Sequence, residues 1–252
     1  MDVHYLPSNR HLKSAREYIL EFLIIFLAVI LGFIANDFRE TYVEKTRAKE
    51  YARLLYNDLN ADNASIQRTI NEKAWIESKY DSVETILATK DLRQFNEFIY
   101  YVERYLSNTT LFSSRDITYQ QMRITGNSRY IKDINLFMKI ANYYTLNDQY
   151  KAIETSYAGN FISNLTVIES TLFNPRDLTS LDNNKATGFY NLVIRPTTPL
   201  KPIRRDVENL KLFYIKIVEA KKQANYMKLL LEKQKAAGLE IMKDLNKEYR
   251  LE

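Results

Sequence analysis

The 252-residue chain has no cysteine, and its only two histidines, His4 and His11, lie at the extreme amino terminus. Disulfides, thiolate metal sites and a cysteine nucleophile are therefore excluded. A Ser-His-Asp triad, a zinc hydrolase centre and the Glu-x-x-His pairs of di-iron bundles need imidazole in the folded part, and none occurs after His11. Glycine and proline are scarce, five of each, and the glycines are isolated from one another, so there is no glycine loop to cradle a phosphate. Between Gly32 and Gly126 neither breaker occurs, which predicts long helices.

What the chain does contain is one long apolar run. Ile19 to Ala35 is apolar except for Glu21, and nothing comparable follows. As a helix over residues 18–38 it would span roughly 30 Å, the hydrocarbon thickness of a bilayer. A cleaved signal peptide would need small residues three and one positions before the cut, but Phe33-Ile34-Ala35 places a bulky ring at the first of these. A buried core helix would be apolar on one face, whereas this run is apolar all round. The expectation is a retained membrane helix, with a short tail over 1–17 before it and a helical body over 39–252 after it. Arg10, Lys13 and Arg16 precede the run and Arg39, Lys45, Arg47 and Lys49 follow, so basic residues are nearly balanced across it. Long downstream domains translocate largely regardless of charge, which favours a cytoplasmic amino terminus and a periplasmic body at the inner membrane.

Beyond the run, apolar residues recur at helical spacing. Tyr51, Leu55, Leu59, Ile66, Ile70, Ala74, Tyr80, Val83 and Leu87 predict one long helix, with 57–63 as the candidate place for a kink. A shorter helix is expected over 92–106, and another element over 118–125 that stops at Gly126-Asn127, where positive φ costs little. A helix from Tyr130 through Ile134, Phe137, Ala141, Tyr144 and Ile153 is expected to end before Pro175. Residues 174–202 read as a proline-bearing loop, with a possible extended piece over 189–195. The last helix, from Ile203 to about Tyr249, carries Leu210, Ile217, Ala224, Leu231, Gly238 and Leu245 at steps of seven. The fold class expected is all-α: one transmembrane helix, then an elongated antiparallel helical bundle with two long helices.

Three segments carry a family resemblance: EFLIIFLAVILGFIAND (Glu21 to Asp37), YARLLYNDLNAD (Tyr51 to Asp62) and TYQQMRITGNSRYI (Thr118 to Ile131). In that order they resemble an uncharacterised family, a domain of unknown function found in single-pass membrane proteins of Gram-negative bacteria. The resemblance covers roughly the first 150 residues. It implies membrane anchoring and an all-helical body, and no activity, substrate or catalytic residue.

Candidate chemistry in the body is sparse. Asp58 and Asp62 lie four apart on one helical face, but no glycine-containing ligand loop accompanies them, so no metal site is expected. Gly126-Asn127-Ser128-Arg129 could present helix N–H groups to an anion, yet a plain turn between helices accounts for it. The nineteen tyrosines, among them Tyr143 and Tyr144, fall mostly on helical stripes, where amphipathic rings cover core edges. The net charge of +5 lies in the last segment, where 201–252 carries thirteen basic and eight acidic side chains. Lys221, Lys222, Lys228 and Lys235 form its basic face, a candidate for anionic lipids or envelope polymers, with a solvated helix face as the plainer reading. No nucleic-acid motif accompanies it.

Within the apolar run, Glu21, Ala28, Gly32 and Ala35 share one face, and Ala28-x-x-x-Gly32 is the small-x-x-x-small pattern that lets helices approach closely. The function expected is a non-enzymatic, membrane-anchored scaffold or accessory subunit of an inner-membrane complex, associating through this face as a homo-oligomer or with other subunits. No cofactor, metal, small-molecule substrate or nucleic acid enters that reading. Its rival is a sensor-like bundle that binds a small ligand or envelope component and signals through a partner.

Overall fold

The computed structural model describes residues 15–89, 111–172 and 207–251. They form helix α1 (Ala15–Thr89), helix α2 (Ile117–Ile124), a 3-10 turn (Asn127–Tyr130), helix α3 (Ile134–Leu172) and helix α4 (Val207–Tyr249). No strand occurs among the described residues, so the all-helical class holds. Three helices are long rather than two, at 75, 39 and 43 residues. The expected helix over 92–106, the loop over 174–202 with its extended piece, and the first residues of the last helix lie outside the described residues.

The chain divides into two compact units, Met1–Glu50 and Tyr51–Glu252. In the first, α1 is exposed on every side over the apolar run, with Leu20 at 60% and Phe33 at 72% exposure. Among the described residues of the unit nothing covers these side chains, so their burial requires another medium or another chain.

The second unit is held together by apolar stripes. Leu55 and Leu59 of α1, Met122 of α2, Leu136, Ile140 and Tyr143 of α3, and Ile241 and Leu245 of α4 make one buried cluster. Ile66, Phe112, Tyr150, Met227 and Leu231 make a second. Each large side chain so buried contributes about 1.5–3 kcal/mol before entropy is set against it. The residues that touch fix the course of the helices. Asp62 with Tyr143 and Lys73 with Glu154 advance together along α1 and α3. Against α1, the partners on α4 run backward: Asn63 meets Met242, Gln67 meets Lys235, Glu77 meets Lys228 and Glu84 meets Lys221.

Helix α1 is continuous through 57–63, and two local expectations change. Its buried stripe passes through Thr69, Lys73 and Ile76, whereas Ala74 faces solvent. The helix expected from Tyr130 begins four residues later, because Gly126 turns the chain left-handed at φ 71 and Asp133 Oδ1 accepts from the Asn135 N–H at 2.8 Å to start α3.

Gly238 is the close approach in this unit. A Cβ there would stand 2.9 Å from Asn63 Oδ1 and 3.3 Å from Tyr143 Cε2, so glycine is what lets α1 and α3 reach α4 at this level.

Candidate membrane anchor and basic face

The four candidate association residues, Glu21, Ala28, Gly32 and Ala35, all lie on exposed α1 surface. Their spacing places them along one side of the helix. A Cβ added at Gly32 meets nothing within 4 Å, so that position is open to whatever lies beside the helix. Phe22 and Phe26 stack at 6.0 Å between ring centroids on the same stretch.

The lysines of α4 divide into two kinds. Lys221 donates to Asp81 Oδ1 at 2.5 Å and to Glu84 Oε2 at 3.0 Å, both on α1. The bond to Asp81, then that to Glu84, holds its ammonium well above the ordinary lysine range. Lys228 pairs with Glu77, and Lys235 donates to Gln67 Oε1 at 2.6 Å. Only Lys222 of the four is exposed. The seven-residue step that made 221, 228 and 235 look like a basic surface is the step at which α4 meets α1, and the acids opposite are its counterpart.

Two polar constellations lie inside the body. Asp62, 1% exposed, accepts from the Arg115 N–H at 2.8 Å through Oδ1 and from the Tyr143 hydroxyl at 3.0 Å through Oδ2. It thereby pins the segment before α2 to both α1 and α3. Burial pushes its carboxyl from 3.8 up to about 6 against the lowering effect of these two hydrogen bonds, and the nearby Asp58 charge adds to the rise. The Tyr143 and Tyr144 hydroxyls, both buried, are pushed well up by desolvation and by the Asp62 charge. Both oxygens of Asp62 are thus engaged in hydrogen bonds. Among the described residues no group of three or more metal-ligating side chains occurs.

The second constellation is the ion pair of Lys73 and Glu154, 2.6 Å apart, with side chains 7% and 3% exposed. Around it the hydroxyls of Tyr80, Tyr150 and Tyr157 are pushed well up, first by burial and then by ionisable neighbours, Tyr157 and Glu154 for Tyr80, Glu154 for Tyr150, and Glu219 and Glu154 for Tyr157. Sequence reasoning missed this pair, since its members are 81 residues apart. The one available signal was a lysine at the apolar phase of α1, between Ile66 and Tyr80.

The Gly126 to Arg129 segment forms a turn. Asn127 Nδ2 donates to the Tyr51 hydroxyl at 2.7 Å, Tyr130 stacks on Tyr51, and the Tyr249 hydroxyl donates to the Tyr130 carbonyl at 3.4 Å. The turn therefore serves as a clasp on the first turn of α1 within this unit and on the end of α4. No family model, curated protein or solved structure matches the chain.

Proposed function

We propose that the protein is a non-enzymatic, membrane-anchored helical scaffold or accessory subunit of an inner-membrane complex. Residues 18–38 cross the bilayer with the amino terminus in the cytoplasm, and the body is a helical bundle in the periplasm in which α4 runs antiparallel to α1. The single observation that supports this most is the long apolar stretch of α1 with large side chains left uncovered on every side. The interior polar groups favour a structural role, since Asp62 is engaged by the Arg115 N–H and the Tyr143 hydroxyl and Lys73 is paired with Glu154. The resemblance to an uncharacterised family of single-pass membrane proteins of Gram-negative bacteria is consistent with the same reading and adds no activity to it.

Association runs through the face of Glu21, Ala28, Gly32 and Ala35, with a second copy or another subunit as the neighbour. Gly32→Ile is a clean test, because a Cβ at this position meets nothing within 4 Å. In mild detergent the substitution is expected to abolish the cross-linked species while leaving the chain in the carbonate-resistant membrane fraction. Unchanged cross-linking refutes the interface, and recovery in the carbonate-soluble fraction refutes the anchor. Lys222→Cys gives a unique thiol on an exposed site of the body, and its labelling by an impermeant maleimide in spheroplasts tests the periplasmic placement.

A further inference from the structure

We propose that the Tyr51 end of the body is a docking face for anionic phospholipid headgroups, an inference that rests on the membrane-anchor reading. The clasp of Tyr51, Asn127, Tyr130 and Tyr249 gathers two surface segments at that end: the turn after α2 and the end of α4. Over 123–133 and 243–251 the chain carries Arg123, Arg129, Lys132, Lys243, Lys247 and Arg250 against the three acids Asp133, Asp244 and Glu248. All six basic residues are exposed. Of the acids, Asp244 already accepts from Lys139 at 2.7 Å, so the excess of positive charge faces outward.

Beside them Ile124, at the end of α2, is 83% exposed, the most exposed large apolar side chain described. An apolar side chain flanked by cations is the composition that binds the headgroup and acyl boundary of an anionic bilayer. Chain length makes such a surface available. Tyr51 follows Phe38, the last residue of the proposed span, by only thirteen residues, so the chain that enters the bilayer begins the body close to it in sequence. The lysines at 221, 228 and 235 cannot supply this function, being engaged with α1, so the anionic-surface property expected of the last helix moves to its final turns.

The test uses the full chain in nanodiscs. Ile124→Cys carries the only thiol, labelled with a small fluorophore, and the discs contain a headgroup nitroxide as quencher. Discs with about 30% phosphatidylglycerol are expected to quench the label roughly twofold more than pure phosphatidylcholine discs, with the excess lost at about 0.5 M salt. Arg123→Glu combined with Lys247→Glu is expected to remove the excess while Trp75 emission stays that of the folded body. Equal quenching in the two lipids, or quenching indifferent to salt, overturns the docking face. In that event, protection of the thiol by an acidic polypeptide would assign the cations to a protein partner instead. A chain that fails to enter discs at all refutes the anchor, so the two readings fail separately.

Discussion

Asp62→Asn tests the account of the body at its most exact point. The carboxyl is held between the Arg115 N–H and the Tyr143 hydroxyl, and burial lifts it to about 6 from 3.8. Between these values the folded state keeps the proton that the unfolded chain releases, so stability falls as pH rises through the window and is level above it. A displacement of that size corresponds to about 3 kcal/mol. Asparagine keeps an acceptor for Arg115 and has no charge to desolvate, and the displacement is already net of the hydrogen bonds to the carboxylate, with a small part of it spent by pH 4. The variant is therefore expected to be near the parent in stability at pH 4 and more stable by about 2 kcal/mol at pH 7.5, an order-of-magnitude figure. Urea unfolding of the full chain in detergent, followed at Trp75, the only tryptophan, reads this directly. Other groups titrate in both proteins, so the quantity to follow is the difference between parent and variant. A difference that stays constant from pH 4 to 7.5 refutes the desolvated carboxylate.

Two further outcomes follow from the interior. Lys73→Met should cost about 3–5 kcal/mol by stranding Glu154, and adding Glu154→Leu should recover most of the loss in the same unfolding assay. Gly238→Ala should lose about 1–3 kcal/mol to the contact with Asn63, more than the roughly 1 kcal/mol that alanine gains in a helix, and an Asn63→Ala background should reverse the sign.

Much of the fold was legible because it depends on local chemistry. Helix α1 does continue without a break from Gly32 to Thr89, Gly126 does take the left-handed conformation, and the last helix does run to Tyr249. Tyr143 and Tyr144 are core, at 0% and 3% exposure. What could not be read is which residue faces which across tens of positions. A stripe of Ile66, Ile70 and Ala74 looks better on apolarity alone than one through Thr69, Lys73 and Ile76, and only the presence of Glu154 on α3 makes the second tolerable. The start of α3 was missed for a related reason: Asp133 caps it, but an aspartate before an apolar stretch competes with the helical pattern that already runs through Tyr130.

The lysines of α4 show how one pattern supports opposite readings. A cation every seven residues describes a surface when the helix is considered alone, and a seam when an acidic helix lies beside it. Helix α1 offers Glu77, Asp81 and Glu84 at the matching levels, so the cations at 221 and 228 close a seam and cannot also present charge to a distant anion without breaking it. Partly exposed pairs of this kind contribute about 1 kcal/mol or less each, which is small beside the apolar clusters. Their stronger effect is on register. A slide of α4 by one helical turn against α1 would bring Lys221, Lys228 and Lys235 away from Glu84, Glu77 and Gln67 together, and would drive a side chain into the space that Gly238 leaves open for Asn63. Part of the charge that suggested a ligand surface thus goes into specifying how the helices pair, while Lys222 and, at the Tyr51 end, Lys243, Lys247 and Arg250 stay exposed.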